Sequence, residues 1–310
     1  MADAGVQILG LGVSTVDELL VLDHIPLPNE KQQIFSRIRQ CGGLTGSALV
    51  AASRMGCSSG YLVTLGSGEL SEFLRREMGR EGVRFFENND DPSVEPLFSL
   101  IMTEQGTGER TILWDKSRAR PPRVGTAERE LILRSGCLFV DHVYAEAIVD
   151  IVREARSAGI PVVGDFERDA PGSAELMNLT NHIILPLGYA RHLLGADLEP
   201  SAAVTELASV AGRELACITD GAAGAWYALG SNPSLVRHQP IFSMPTVVDT
   251  TGCGDVFHGV YTAGLVSGWP PEERIRNASA AAALKTRKPG AQAGAPTLPE
   301  LKAFMADGLR

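Results

Sequence analysis

The stretch CLFVDHVYAEAIVDIVREARSAGIPVVGD, residues Cys137–Asp165, decides the fold. It places a short apolar strand, Cys137–Val140, before an amphipathic helix, Ala145–Ala158, and a second apolar strand, Ile160–Asp165. Strands that are apolar throughout are buried on both faces, and a helix between two of them makes the pair parallel. The unit recurs on both sides. Further strands are expected at Val6–Gly12, Tyr61–Leu65, His182–Leu185 and Leu215–Thr219. Helices are expected at Leu44–Met55, Leu70–Glu81, Ser201–Ala211 and Val256–Ser267, and the run Ala278–Ala283 is helical as well. The fold class is therefore α/β, a doubly wound and mostly parallel sheet. With 310 residues the chain can bury a full core without staples.

Two stretches break the alternation. Ser14–Arg39 carries Pro26, Pro28 and Asn29 ahead of KQQIFSRIR, in which Ile34, Ser36 and Ile38 share one face. Val94–Trp114 reads as two strands, EPLFSLIMT and RTILW, around the turn-rich EQGTGE. Together they are expected to form a small antiparallel sheet attached to the core, either a lid over a cleft or an edge hairpin. The expected division is a discontinuous core of residues 1–13, 40–93 and 115–310, with a β lid from 14–39 and 94–114.

Charge and cysteine usage narrow the function. Lys and Arg number 28 against 37 Asp and Glu, a formal net charge of −9. An acidic, evenly charged surface lacks the footprint of a nucleic-acid binder. The five cysteines are scattered without a CxxC pair, so neither a zinc site nor a disulfide framework is suggested, and reduced thiols fit a cytoplasmic protein. The N-terminal MADAGVQILG is unlike a signal peptide, and no apolar run approaches the ~20 residues that span a bilayer. The expected protein is soluble and cytoplasmic, with no membrane partner.

The strongest local signal is VVDTTGCGDVFHGVYTAGLVSG, Val247–Gly268. An apolar segment runs through Asp249, Thr250 and Thr251 into Gly252-Cys253-Gly254-Asp255, after which Phe257, Val260, Tyr261 and Leu265 recur at helical spacing. Glycines at such a turn let several N–H groups converge at a helix N-terminus, which suits an anion. Asp255 at its mouth is open between a proton acceptor and an ordinary helix cap.

Other glycine clusters are weaker. ILGLGVSTVDELL has Gly10 and Gly12 after a strand, but Thr15 replaces the third glycine of a dinucleotide fingerprint and Asp17 comes too soon to bind a ribose. No GxxxxGK[ST] occurs, which excludes a Walker-type NTPase, and no GxSxG or HExxH is present. CGGLTGSALVAASRMG, Cys41–Gly56, opens a helix with Gly42 and Gly43, either to approach a ligand or to make a tight loop. ITDGAAGAW, Ile218–Trp226, is a strand with a glycine turn that also fits a plain hairpin. His258, on the helix after Asp255, reads as a packed residue rather than a base.

In this order the motifs resemble the ribokinase-like (PfkB-type) carbohydrate kinases. Val247–Gly259 is similar to the family's C-terminal signature, D-T-x-G-A-G-D, with Cys253 in place of the alanine. Cys41–Gly56 resembles its Gly-Gly motif, GERTI at Gly108–Ile112 the strand returning from its lid, and Ile218–Gly224 its T-x-G-x-x-G nucleotide loop. Thr286–Pro296 resembles its C-terminal nucleotide-side loop, and VVDTTGCGDVFHG with LKTRKPGAQAG looks most like the bacterial sulfofructose kinases.

The resemblance implies ATP-dependent transfer of the γ-phosphoryl group to a hydroxyl of a small sugar or sugar derivative. It implies a three-layer α/β/α core whose lid pairs with that of a second copy in a homodimer. Asp255 would be the general base, with the amides of Gly252, Cys253 and Gly254 as the anion hole. Asp17, Gly42, Gly43, Ser47 and Trp114 would lie at the sugar, and Thr219, Gly221, Gly224, Thr250 and Asn277 at ATP. Mg2+ would accompany the phosphates, and a potassium ion would sit near Asp249, Thr251, Arg287 and Gly290. The Cys253 amide is expected to do the work, while its thiol, at a helix N-terminus, is expected to lean toward thiolate.

The departures from the family pattern are specific. Ser47 stands where the Gly-Gly motif ends in Asn, and Pro186-Leu187-Gly188-Tyr189 replaces the N-x-x-E of the magnesium network. The G-D-D after the second strand is shortened to Gly66-Ser67-Gly68-Glu69. Trp114 replaces a polar Asn of the sulfofructose kinases and Val143 falls at or beside their sulfonate-facing Arg. An apolar side chain cannot pair with a sulfonate, so that substrate is not implied. Two alternatives accompany the sugar kinase: a nucleoside kinase, with Trp114 stacking on a base, and a catalytically impaired sugar- or nucleotide-binding regulator.

Overall fold

The computed structural model describes residues 5–88 and 91–307; positions 1–4, 89–90 and 308–310 of the expected core lie outside the described residues. β1 (Ile8–Leu11) is followed by no helix. The chain passes straight into β2 (Thr15–Leu22), returns through β3 (Ser36–Gly42), and only then enters α1 (Leu44–Arg54). β4 (Ser59–Val63), α2 (Glu69–Arg80) and β5 (Arg84–Glu87) restore the alternation before β6 (Leu97–Glu104) and β7 (Arg110–Asp115) interrupt it again. Then come α3 (Thr126–Leu133), β8 (Cys137–Asp141), α4 (Ala145–Ser157), β9 (Val162–Asp165), α5 (Ser173–Leu179), β10 (His182–Pro186), α6 (Leu187–Leu194) and α7 (Pro200–Ala208). A meander of β11 (Leu215–Thr219), β12 (Ala225–Leu229) and β13 (Asn232–Gln239) precedes α8 (Cys253–Val266), α9 (Pro271–Lys285) and α10 (Leu298–Asp307). In the stretch that opened the sequence analysis, both strands and the helix lie within two residues of their expected limits.

The main sheet has nine strands in the order β13-β12-β11-β10-β9-β8-β1-β4-β5. It is parallel from β11 to β5, and β12 and β13 add an antiparallel edge. The central strands are buried on both faces, and successive side chains point to opposite sides as the pleat demands. In β8, Cys137 and Phe139 join the cluster built with α1, α2 and α8 to α10, while Leu138 and Val140 join the cluster under α3 to α7. The chain runs outward from β1 through β4 and β5, and in the other direction from β8 to β11. This reversal between neighbours β1 and β8 opens a crevice at their carboxyl ends.

The two interrupting segments make one separate sheet, ordered β3-β2-β6-β7. Its outer pairs are antiparallel as expected, but the central pair is parallel, with Thr15 opposite Leu97 and Leu22 opposite Glu104. The reason is geometric: β2 leaves the carboxyl end of β1 and β6 follows the carboxyl end of β5, so both depart from the same side of the main sheet. β3 runs on to Gly42 and β7 to Asp115, past the expected limits at 39 and 114. Among the described residues all five cysteines are free, and no helix is long and apolar enough to cross a membrane.

Helices α1 and α8 touch through small residues. A Cβ on Gly259 would lie 2.2 Å from the Ala48 carbonyl oxygen and 2.8 Å from the Ala51 Cβ. Since the nearest atom belongs to backbone, Gly259→Ala should destabilise the fold by about 1–3 kcal/mol through overpacking, read as a lower urea midpoint at unchanged slope.

Candidate active site

Three carboxylates gather where β8 and β9 end and α8 begins, and their environments differ sharply. Asp141, fully buried at the end of β8, accepts hydrogen bonds from Val13 N (2.7 Å), Thr45 Oγ1 (2.7 Å) and Val143 N (2.9 Å). It therefore ties β8 to the exit of β1 and the start of α1. Asp165, equally buried at the end of β9, leaves Oδ2 without a hydrogen bond among the described residues, 3.4 Å from Nδ1 of His258. Burial, followed by the charges of Glu167, Asp255 and Asp141, holds its carboxyl well above the ordinary range. Asp255, in the first turn of α8, is also raised well above the usual carboxylate range, by desolvation first and then by Glu167, Asp141 and Asp17. His258 is the packed residue expected from sequence, its ring nitrogens 2.8 Å from Gly254 O and 3.1 Å from Ile184 O.

The turn before α8 has the anion-binding form. Gly252 is left-handed at φ 77°, and a Cβ there would meet the Ala291 Cα at 2.7 Å, so only glycine fits. First-turn amides of a helix have no acceptor inside it, which leaves Gly252 and Gly254 N–H for a ligand. The Cys253 amide is already donated to Thr250 O at 3.2 Å, so it is not a free member of the expected trio. The Cys253 thiol is corrected too. Burial pushes it up to about 11, and Sγ donates to Ala282 O at 3.4 Å, so desolvation outweighs the helix dipole and the thiol is neutral.

Asp249 organises this turn. Its Oδ1 accepts the Thr251 amide (2.8 Å) and its Oδ2 the Gly290 amide (2.7 Å). Three of the four residues expected at a cation thus converge, whereas the Arg287 side chain is exposed. Two cations that sequence reasoning missed also meet Asp249: Lys285, whose ammonium donates to the Asp249 carbonyl at 2.8 Å, and Arg110 of β7, which contacts Thr251 Oγ1.

Beside the turn lies a cavity of about 390 Å³ lined by Thr219, Gly221, Gly224, Thr250, Cys253 and Gly254. Six expected residues are thereby brought together, with apolar walls from Ile241, Phe242, Met244, Val247 and Phe257 that the sequence did not single out. The loop after β11 is both of its readings at once, a hairpin to β12 that also lines the cavity. Asn277 is not there. Ser279, Ala282, Ala283 and Thr286 present one face of α9 to this cavity, and Asn277 lines a second cavity with Trp269 and Leu301. Helical phase, at 3.6 residues per turn, separates the two faces.

Across the crevice, register aligns Gln40, Asp17, Ser99 and Trp114 in one row over the four strands of the second sheet. Residues directly opposite share a face, and this face turns to the core, since a Cβ on Gly290 would strike the Gln40 Oε1. Asp17 is raised above its ordinary value by burial, against the lowering effect of Thr15 and Ser99 hydroxyls. Gly42 is required beside it, because a Cβ would lie 2.2 Å from Asp17 Oδ2. Gly43 caps α1 at φ 82°. Ser47 is buried with no hydrogen-bond partner of its own among the described residues, near enough to Asp255 to favour its ionised form. Trp114 is half exposed. At the lost N-x-x-E, Pro186 precedes α6, and the Tyr189 hydroxyl turns away to Asp169 Oδ1 at 3.1 Å.

A model described as pfkB family carbohydrate kinase matches residues 13–298. The chain belongs to that family. It is 23% identical over 300 residues to the ribokinase of Haemophilus influenzae, covering 95% of this chain and 97% of that one. It is 27% identical over 263 residues to the 2-dehydro-3-deoxygalactonokinase of Haloferax volcanii, covering 78% and 80%. The fold matches Arabidopsis thaliana ribokinase, solved with ribose and ATP, at a TM-score of 0.84, 19% identity and coverage of 97% and 99%. The reaction of this PfkB carbohydrate kinase is ATP-dependent phosphorylation of a sugar.

The unpaired acid in this kinase gives a pH prediction. A carboxyl raised on folding favours the folded state most below its unfolded value, and that contribution is lost as pH rises through the folded value. Asp165→Asn cannot ionise. It should therefore be more stable than wild type near pH 8, with the advantage disappearing toward pH 4, in urea midpoints measured across that range.

Proposed function

We propose that Asp255 accepts the proton of the sugar hydroxyl while the Gly252 and Gly254 amides hold the phosphoryl group in transfer. One observation carries this reading: a single helical turn bears both the glycine amides and a carboxyl whose proton affinity is raised well above the ordinary carboxylate range. Brønsted behaviour favours a base whose proton affinity lies nearer the working pH. Phosphoryl transfer asks mainly for positioning and charge stabilisation, which amides converging at a helix start provide.

The cavity beside Thr219–Gly224 suits the adenine end of ATP, being apolar with few polar groups. Asp17, with Gln40 and Ser99 in its row, accepts hydrogen bonds from the sugar, and Gly42 and Gly43 let the backbone come close. Magnesium fits through Asp165, whose unpaired Oδ2 lacks a counter-charge, and Glu167 beside it. These carboxylates would face a hydrated ion held chiefly by ATP phosphates, neutralising their charge. The second sheet acts as the lid, and the acceptor is a small sugar or sugar derivative. Free thiols throughout fit a cytoplasmic enzyme.

Trp114 favours one second reading. Half exposed on the face that turns to the core, it offers a stacking surface for a nucleoside base. Sugars and nucleosides tested with ATP in a coupled ADP-release assay separate the two. ATP binding without turnover on any acceptor would leave the regulator. Asp255→Asn keeps size and capping but removes the acceptor of the proton. Turnover should fall ~10²-fold or more with ATP affinity little changed, and near wild-type turnover would reduce Asp255 to a cap.

The lid also supports a homodimer. Next to the Asp17 row runs an apolar one, Ile38–Leu19–Ile101–Ile112, whose ends are 44% and 54% exposed. A second copy of the lid would cover them. Light scattering should give a dimer for wild type and a monomer for Ile112→Glu.

A further inference from the structure

Family likeness implies a potassium ion at the Asp249 turn, but the groups converging there do not fit one. A hard cation is held by oxygen atoms with lone pairs turned inward. Around Asp249 the converging groups are donors: the amides of Thr251 and Gly290 on its carboxylate oxygens, the Arg110 guanidinium 3.9 Å from Oδ1, and the Lys285 ammonium. Lys285 is fully buried, 2.8 Å from the Asp249 carbonyl oxygen and 3.7 Å from Oδ2. A mobile cation arriving here would meet two fixed positive charges on one carboxylate.

We propose that the Lys285 ammonium is a tethered replacement for the monovalent cation, so that the anion-binding turn of this kinase is organised without potassium. An ammonium resembles potassium in charge and size. Lys285 lies in the last turn of α9, where a cation is favoured by the helix dipole. Thr286 O accepts the amides of Val248 (2.8 Å) and Asp249 (3.2 Å), so the end of α9 is bonded directly to the segment leading into the turn. From Asp249 the order passes to Thr251, and from there to Gly252 at the start of α8. A buried charge is tolerated only when paired, and truncating Lys285 leaves the Asp249 carbonyl and carboxylate facing an empty place of ionic size. Lys285 is thus a positioning residue: it acts on the phosphate through the turn.

The inference rests on the reading of this turn as the phosphate site, and the experiment separates the two. Full-length wild type, Lys285→Ala and Lys285→Met are compared in KCl and choline chloride at equal ionic strength, by thermal midpoint and by calorimetric Kd for ATP with Mg2+. Wild type should show the same midpoint and Kd in both salts. Lys285→Ala should bind ATP ~10-fold or more weakly in choline, with affinity and midpoint both recovering as KCl or ammonium chloride is added. Lys285→Met, which fills the stem's space, should lose affinity without salt rescue. Wild type binding ATP tenfold tighter in KCl would overturn the proposal, as would an Ala variant indifferent to potassium. Should the Ala variant fail to fold, the wild-type comparison still decides. Absence of ATP binding in either salt, with potassium still raising the midpoint of the Ala variant alone, would retain the lysine assignment and remove the phosphate reading.

Discussion

The Asp249 carboxylate draws together parts of the chain that are remote in sequence. Its two oxygens accept amides from Thr251 and Gly290, while Lys285 reaches its carbonyl from the end of α9. Everything that gives the turn its chemistry depends on this. Gly252 can be left-handed because it lacks a Cβ, and that same lack lets Ala291 pack against it at a distance no other residue would allow. Cys253 and Gly254, at the start of α8, line the cavity directly after this segment held at Asp249. A charge in this position costs desolvation, which the donors around it offset: its proton affinity stays below the ordinary value despite burial.

Asp141 and Asp165 show how two identical side chains at neighbouring strand ends diverge. Asp141 has three donors and serves as a latch between β8, β1 and α1. Asp165 faces Glu167 and Asp255 with one oxygen unpaired, and its proton is held tightly. The first is satisfied by the fold and the second is not. Burial first, and then the charges of Glu167, Asp141 and Asp17, lifts Asp255 as well, so the environment that costs stability is the one that raises the proton affinity of the proposed base.

The core was legible because its signal is local. Strands apolar on both faces, separated by helices, have one economical arrangement, and Cys137–Asp165 alone carried it. The signature turn was legible for the same reason, since glycine spacing specifies a backbone shape. Partner direction in the second sheet was not, because strand alternation says nothing about which way a neighbour runs. Asn277 was assigned from the family likeness, and helical phase placed it on the far face of α9. Lys285 was not singled out, because nothing in the sequence around it points to burial; that follows from a contact with Asp249, remote in sequence, made only on folding. The thiol of Cys253 was judged by the helix dipole, a local effect, and lost to desolvation, a tertiary one.

The glycine contact between α1 and α8 has one more consequence. These helices begin at Gly43 and Gly252, on the two sides of the candidate site, and Gly259 lets them approach with backbone against backbone. The closest approach of the two helices is therefore set by backbone atoms. The row Gln40–Asp17–Ser99–Trp114 lies on another sheet, outside that contact. On the proposed reading, acceptor preference can change along one row of four side chains while the spacing of the two helices that begin at the site is kept by a backbone contact.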